Sequence, residues 1–215
     1  MSSIPLSNIE ILHQLKHFLV ERARTSRRYI KLTNPPYAIS DLTILEFTDE
    51  GHELNEVIQL LKSGNSIGVI SESGMPGIAD PGSKIVLLAH KHNLQVRALV
   101  GPSSIFLALS SSGLNGQNFC FNGYLPIKEN ELIKSINQIE QRAYKNKETQ
   151  IFIETPYRNN RLFSNLLKNL KDQTLLCIAL DLTSSNEFVK TMSIANWKKE
   201  SWKFEKAPAI FLIGI

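Results

Sequence analysis

Short continuous apolar runs alternate along this chain with longer stretches in which apolar residues recur every three or four positions. The runs predict buried strands, and the stretches with helical spacing predict amphipathic helices. The predicted strands are 18–20, 42–47, 67–70, 96–100, 118–125, 150–153, 174–180, 188–192 and 209–215. The predicted helices begin near Asn8 and Ile105 and otherwise cover 21–32, 53–63, 84–92, 129–143 and 161–170.

The segment from Ile67 to Ser104 combines two of these strands with two unusual loops. A glycine-rich loop, 71–82, follows the strand at 67–70, and Gly101-Pro102-Ser103-Ser104 follows the strand at 96–100. Between them, Asp80 is a suitable N-cap and Pro81 a suitable first residue for the helix. A strand-helix-strand unit predicts a parallel sheet, and ligands of such sheets bind beyond the carboxyl ends of the strands.

The order of the elements predicts an α/β fold with two domains. Strands and helices alternate in the first half, which indicates a parallel sheet, whereas strands outnumber helices late in the chain, which indicates a mixed sheet. The composition changes at Pro126. We therefore predict an N-terminal domain over 1–124 and a C-terminal domain over 125–215.

Composition narrows the classes of function. Hydrophobic residues make up 42% of the chain and the net charge is +4, so a sizeable core and an anionic partner are both permitted. The apolar runs are too short to span a bilayer, and the first residues do not have the pattern of a signal peptide. Cys120 and Cys177 are predicted to be buried thiols in a reducing compartment, and the histidine spacing does not favour a metal site.

Two groups of residues have both a functional and a structural interpretation. Four arginines lie between Arg22 and Arg28, directly after a predicted strand; they either bind phosphate or form a solvated helix face. Trp197 and Trp202 flank two lysines, which is compatible with a nucleic-acid surface. The interpretation we favour places one tryptophan in the core and leaves the other partly exposed.

The loop residues carry a resemblance to a known family. The motifs are Ser73-Gly74-x-Pro76-x-x-x-Asp80-Pro81-Gly82, Gly101-Pro102-Ser103-Ser104, Gly123-Tyr124-Leu125-Pro126 and Glu154-Thr155-Pro156-Tyr157-Arg158-Asn159. With these motifs the chain resembles the tetrapyrrole methylase superfamily, and within it the branch of ribosomal small-subunit RNA (cytidine-2′-O) methyltransferases. The resemblance implies a homodimeric cytoplasmic methyltransferase that uses S-adenosylmethionine (SAM) and acts on the ribose 2′-hydroxyl of ribosomal RNA.

The resemblance also implies the site. SAM is expected in a cleft between the two domains, held mostly by backbone groups. The donor-site positions carried over by motif are Ser73, Gly74, Met75, Ser103, Ser104, Thr155, Tyr157, Leu182, Thr183, Ala207 and Pro208. The catalytic positions carried over are Glu21, Arg24, Thr25 and Arg27. A sulfonium-activated methyl group needs positioning rather than a metal or a protein nucleophile, and Glu21, Glu72 and Glu154 are candidate bases for the hydroxyl proton.

The chain departs from the family pattern at three places. Ala23 stands where the RNA branch commonly has an acidic or polar residue, and no lysine follows Thr183. The chain also enters its first helix directly, where family members begin with a strand and a Pro-Thr-x-x-Gly-(Asp/Asn) loop. Two alternative functions therefore stay open: a methylase of tetrapyrroles or other small molecules, and a catalytically inactive module for SAM binding or dimerisation.

Overall fold

The computed structural model describes residues 3–48 and 50–215. These residues form two compact units, of which one ends at Ser103 and the other comprises Ser104–Ile215. The domain division at 124/125 drawn from the sequence stays a prediction, and the units are described here separately.

The first unit is built on a three-stranded parallel sheet with strand order β2-β1-β3. Its strands are β1 (His17–Val20), β2 (Thr43–Glu46) and β3 (Ile67–Ile70), and its helices are α1 (Leu6–Gln14), α2 (Ala23–Leu32), α3 (Glu53–Lys62) and α4 (Ser83–Lys91). A short 3₁₀ turn, Ile39–Asp41, precedes β2. Val20 is paired with Glu46 on one side and Ile70 on the other, so all three strands end level at one edge. The predicted parallel sheet is confirmed.

The central strand β1 explains how this small sheet is stabilised. Successive side chains of a strand point to opposite faces. Phe18 and Val20 pack with Ile30 of α2 on one face, while Leu19 packs with Val57 of α3 on the other. All five side chains are buried, so β1 is covered by helices on both faces, as expected of a strand in a parallel sheet.

The predicted strand at 96–100 is wrong. Within residues 3–48 and 50–215, this segment pairs with no strand, and Val100 is 78% exposed. Among the described residues, one side chain bonds to this segment: Asn8 Nδ2 donates to the Val100 carbonyl at 2.7 Å. Apolar residues predict burial only when a neighbouring strand or helix covers them, and β3 is the last strand of the sheet on its side.

The predicted start of α4 is also wrong, by a few residues. The helix begins at Ser83 with Gly82 as its N-cap, and Asp80 makes no cap bond. The Gly77 N–H donates to the Pro81 carbonyl at 3.1 Å, which holds Pro81 in the loop instead of the first turn. The hydrogen bond within the loop therefore overrides the local sequence signal for a helix start at Pro81.

The second unit contains a five-stranded mixed sheet with strand order β4-β5-β8-β6-β7. Its strands are β4 (Phe119–Tyr124), β5 (Thr149–Glu154), β6 (Leu175–Leu180), β7 (Phe188–Ser193) and β8 (Ala209–Gly214); its helices are α5 (Ser104–Ser112), α6 (Glu129–Asn146), α7 (Asn159–Asn169) and α8 (Ile194–Trp197). β4 and β5 are parallel, and the other neighbours are antiparallel. The predicted mixed sheet is confirmed, whereas α8 was not predicted.

The two tryptophans belong to the core of the second unit. Trp197 is fully buried, donates from Nε1 to the Leu176 carbonyl at 2.9 Å, and meets Phe163 edge to face at 5.5 Å between centroids. Trp202 is half-buried and stacks on Phe188 at 4.5 Å. The core interpretation is confirmed, and the nucleic-acid interpretation of this pair is wrong.

The remaining predictions from composition concern thiols, metals and membranes. Cys177 is buried and Cys120 half-buried, both are free, and burial raises the pKa of the Cys177 thiol. Within 3–48 and 50–215, no group of three or more His, Cys, Asp or Glu residues is placed to hold a metal ion. No helix in the described part of the chain combines the length and the apolar character that crossing a membrane requires.

Candidate functional site

The level carboxyl edge of the first sheet brings two of the candidate bases together. Glu21 follows β1 and Glu72 lies two residues beyond β3. The Glu21 N–H donates to the Ile70 carbonyl at 3.1 Å, and the Glu21 carboxylate accepts from the Glu72 N–H at 2.9 Å. Glu21 thus joins the end of β1 to the loop that follows β3. Both carboxylates lie at the edge where parallel sheets bind ligands.

Carboxylates of other elements fix the start of α2. The N-cap, Arg22, makes no side-chain cap bond, and the first turn contains no acidic residue. The Ala23 N–H donates instead to the carboxylate of Glu46 at the end of β2, and the Thr25 hydroxyl donates to the carboxylate of Glu72. Negative charge at a helix N-terminus is favourable, so these bonds hold the predicted catalytic helix against the edge of the sheet.

The outer face of α2 is strongly basic. Its inner face is formed by the buried residues Ala23, Ser26 and Ile30. The exposed arginines are Arg22, Arg24, Arg27 and Arg28. In the part of the chain that the structure describes, none of these guanidinium groups lies within ion-pair distance of a carboxylate. They are therefore available to an anion, which favours the phosphate-binding interpretation.

Asp80 is a third carboxyl group of this edge. The pKa of Asp80 is raised, first because burial disfavours the charged carboxylate and second because the negative charge of Glu21 lies nearby. Burial and a neighbouring negative charge both disfavour the charged form of a carboxyl group. The loop after β3 thus bends back toward the end of β1.

The loop 71–82 presents backbone donors. Among the described residues, the N–H groups of Ser73, Gly74 and Met75 donate to no protein acceptor. A Cβ added at Gly101 would lie 3.9 Å from the Met75 Cγ, so the second predicted loop approaches the first. Ser103 is buried at the end of the first unit, and Ser104 begins α5 in the second. Free peptide N–H groups beside a glycine-rich loop are suited to a polar ligand.

Gly82 closes this loop, and its replacement by alanine tests the closure. Gly82 has φ +138°, and a Cβ there would lie 3.0 Å from the backbone nitrogen of Gly77. We expect Gly82→Ala to lower the free energy of unfolding by about 1–3 kcal/mol, because neither the conformation nor the backbone contact admits a side chain. Gly116→Ala is the matched control, since a Cβ at Gly116 meets nothing within 4 Å. Equal urea midpoints for the two variants would contradict the expectation.

The second sheet gathers most of the remaining predicted residues at one edge. Glu154 at the end of β5 pairs with Ala209 at the start of β8, which also pairs with Leu180 at the end of β6. The Asp181 N–H then donates to the Pro208 carbonyl at 2.9 Å. The segments that follow or precede these strand ends contain Thr155, Tyr157, Leu182, Thr183, Ala207 and Pro208.

Glu154 anchors the loop after β5. Its side chain is only 7% exposed and accepts from the Thr155 N–H at 2.6 Å, from Arg158 Nε at 2.8 Å and from an Arg158 terminal nitrogen at 2.5 Å. The Glu154 carboxylate is therefore held in place by donors of its own loop. This environment favours a positioning role for Glu154 over its predicted role as a base.

The turn after β6 has an uncommon backbone. Asp181 and Thr183 have φ of +49° and +69°, a region that residues other than glycine rarely adopt. The Thr183 N–H donates to the Glu187 carboxylate at 2.6 Å, and the Ser184 hydroxyl donates to the Asp181 carboxylate at 2.7 Å. Strained backbone of this kind concentrates at functional sites, which supports the assignment of Leu182 and Thr183.

Three residues shape these edges in a way that the sequence does not reveal, although one of them, Asn159, belongs to the motif at 154–159. Glu46 supplies the missing cap of α2. Asn159 donates from Nδ2 to the Ala207 carbonyl at 2.9 Å, and Asn160 exchanges two hydrogen bonds with the backbone of Phe204. Their partners are 23 to 48 positions away in the chain, so local patterns do not reveal them.

Comparison with known proteins adds three relatives, each named ribosomal RNA small subunit methyltransferase I. The Buchnera aphidicola (subsp. Baizongia pistaciae) protein is 27% identical over 217 residues, which cover 100% of this chain and 72% of the relative. The Helicobacter pylori J99 protein is 31% identical, covering 88% and 68%. The Thermotoga maritima protein is 29% identical, covering 85% and 82%. Part of each relative therefore lies outside the matched region.

A solved structure and a family model give the same assignment as these relatives. The crystal structure of the methyltransferase CobJ matches 99% of this chain and 88% of its own, with a TM-score of 0.61 and 16% identity, a likeness of fold. The model of the family described as tetrapyrrole (corrin/porphyrin) methylases matches residues 3–197. The chain belongs to the tetrapyrrole methylase family.

Proposed function

We propose that this protein is a SAM-dependent methyltransferase that methylates a ribose 2′-hydroxyl of small-subunit ribosomal RNA. The similarity to relatives named for that RNA carries the proposal. The arginines of α2 lie at the carboxyl edge of the first sheet and have no carboxylate partner among the described residues. They support the proposal independently, because guanidinium groups bind phosphate bidentately.

The residues present fit SAM as the donor. In the first unit, the N–H groups of 73–75, which donate to no acceptor in the described residues, and the neighbouring turn at 101–103 would hold it. In the second unit, the peptide groups of Thr155, Tyr157, 182–183 and 207–208 would do so. When bound, SAM supplies a methyl group activated by a sulfonium, and the protein's part is to position donor and acceptor and to exclude water.

Transfer to a ribose hydroxyl releases a proton, which one of the carboxylates must accept. Glu21 and Glu72 are better suited than Glu154, whose carboxylate is buried among its own donors. Glu72 is exposed and accepts from the Thr25 hydroxyl, so the catalytic positions Glu21 and Thr25 converge on it. Arg24 and Arg27 would bind phosphates of the same RNA and fix the ribose relative to Glu72.

The oligomeric state and the location are part of the same proposal. We infer a homodimer that works in the cytoplasm, where ribosomal RNA is found. An exposed apolar surface in the second unit supports self-association. Phe106 is 50% exposed, contacts Phe119 edge to face at 6.0 Å, and lies beside Leu107, which is 37% exposed. Exposed patches of this kind commonly mark protein interfaces.

Small ribosomal subunits incubated with SAM labelled in its methyl group test the proposed activity. We expect label in the RNA, in dinucleotides that resist alkaline hydrolysis, because a 2′-O-methyl group removes the hydroxyl that attacks the neighbouring phosphate. Subunits without the protein are the control. Label in a base, or transfer to a porphyrin and not to RNA, would overturn the proposal that the acceptor is a ribose hydroxyl. Binding of SAM in calorimetry without any transfer would instead identify an inactive SAM-binding module.

A further inference from the structure

Tyr157 is an aromatic side chain with no role in the core. It is 80% exposed, although it lies in the loop that joins β5 to α7 at the functional edge of the second sheet. The ammonium group of Lys206 lies over its ring, 5.1 Å from the centroid. Lys206 is itself exposed and, in the described ranges, within ion-pair distance of no carboxylate.

The backbone on both sides of this pair is held in place. Glu154 binds the Thr155 N–H and the Arg158 guanidinium, which brackets Tyr157. Asn159, the first residue of α7, donates to the Ala207 carbonyl next to Lys206. The exposed ring and its lysine are therefore carried by two anchored segments, and little conformational entropy is lost when a ligand binds to them.

The chemistry of the pair fits a nucleotide. An exposed aromatic ring stacks on the π-face of an unpaired base, and a neighbouring lysine contacts the phosphate. The Arg158 guanidinium is already paired with Glu154, so Lys206 supplies the positive charge beside the ring, and the adjacent acidic residue is Glu205. An apolar ligand would not need the lysine, and a free phosphate would not need the ring.

We propose that Tyr157 and Lys206 form a platform for one unpaired nucleotide of the acceptor RNA, with the base on Tyr157 and the phosphate at Lys206. The proposal rests on the proposed function. It assigns the Tyr157 side chain to the acceptor, while the peptide groups of the same loop remain available to the donor.

The test uses a short fluorescein-labelled oligocytidylate as the RNA probe and S-adenosylhomocysteine as the donor probe. We expect Tyr157→Ala to weaken RNA binding about 5- to 100-fold in fluorescence anisotropy, with Tyr157→Phe close to the original chain. Lys206→Met should weaken it too and lower the slope of log K against log salt by about 1, whereas Tyr157→Ala should leave that slope unchanged. Calorimetry with S-adenosylhomocysteine should give equal affinities for all variants.

Each other outcome decides against the platform. If Tyr157→Ala binds RNA as tightly as the original chain while Arg24→Ala/Arg27→Ala binds it more weakly, the platform is overturned. The proposed function then still stands. A parallel loss of S-adenosylhomocysteine affinity means that the ring stacks on the adenine of the donor, which also overturns it. If the unaltered chain binds no RNA, the platform and the RNA assignment fall together. Unfolding curves exclude a folding defect, which the exposure of Tyr157 makes unexpected.

Discussion

Replacing Arg24 and Arg27 together by alanine is expected to weaken RNA binding by one to two orders of magnitude at about 0.1 M salt. Both guanidinium groups lie on the exposed face of α2 without a carboxylate partner in the described residues. Each phosphate contact releases condensed counterions, so the loss of two contacts should lower the slope of log K against log salt by about 2. Fluorescence anisotropy across a salt series measures both quantities.

A charge-matched variant separates direct phosphate contacts from the long-range electrostatic attraction of RNA. Lys62→Ala/Lys91→Ala removes two exposed positive charges from the same unit, at the ends of α3 and α4. We expect this variant to keep nearly the original slope, because its lysines act on RNA only through the long-range field. If both double variants lose the same affinity and the same slope, the arginines of α2 are not the RNA contact surface.

Regular elements were predictable because their signals are local. Leu54, Val57, Ile58 and Leu61 recur at helical spacing, and this stretch folds as α3. The parallel and mixed sheets likewise follow from the order of strands and helices. The failure at 96–100 has the opposite cause, since a strand exists only where another strand pairs with it. Pairing is a property of the whole unit that an apolar run does not record.

The candidate site likewise contains residues that the sequence predicts and contacts that it does not. Residues in sequence motifs, such as Glu21 and Tyr157, were identified before the structure, and the register of each sheet explains why those within one unit meet. The positioning contacts were not predicted, because Glu46, which lies outside every motif, and Asn159, which belongs to one, bond to backbone far away in the chain. Glu154 was assigned by resemblance, and only its burial and its bonds to Arg158 show that it anchors the loop.

Replacing Trp197 by alanine is expected to lower the free energy of unfolding by about 3–5 kcal/mol, which is comparable with the whole stability of many domains. The indole is fully buried between α7, β6 and the Phe204 segment, so its removal leaves a large cavity. The substitution also leaves the Leu176 carbonyl without the indole donor. Urea unfolding, followed by the fluorescence of the remaining Trp202, measures the loss.

Two comparison variants divide this loss into its causes. Trp197→Phe keeps an aromatic ring against Phe163 but removes the Nε1 donor and part of the indole volume, so its smaller loss combines the hydrogen bond with a smaller cavity. Trp202→Ala removes an indole that is half-buried and whose Nε1 has no partner among the described residues. We expect Trp202→Ala to cost clearly less than Trp197→Ala. Equal losses would mean that burial does not decide the contribution of this pair, which contradicts their assignment to the centre and the margin of one core.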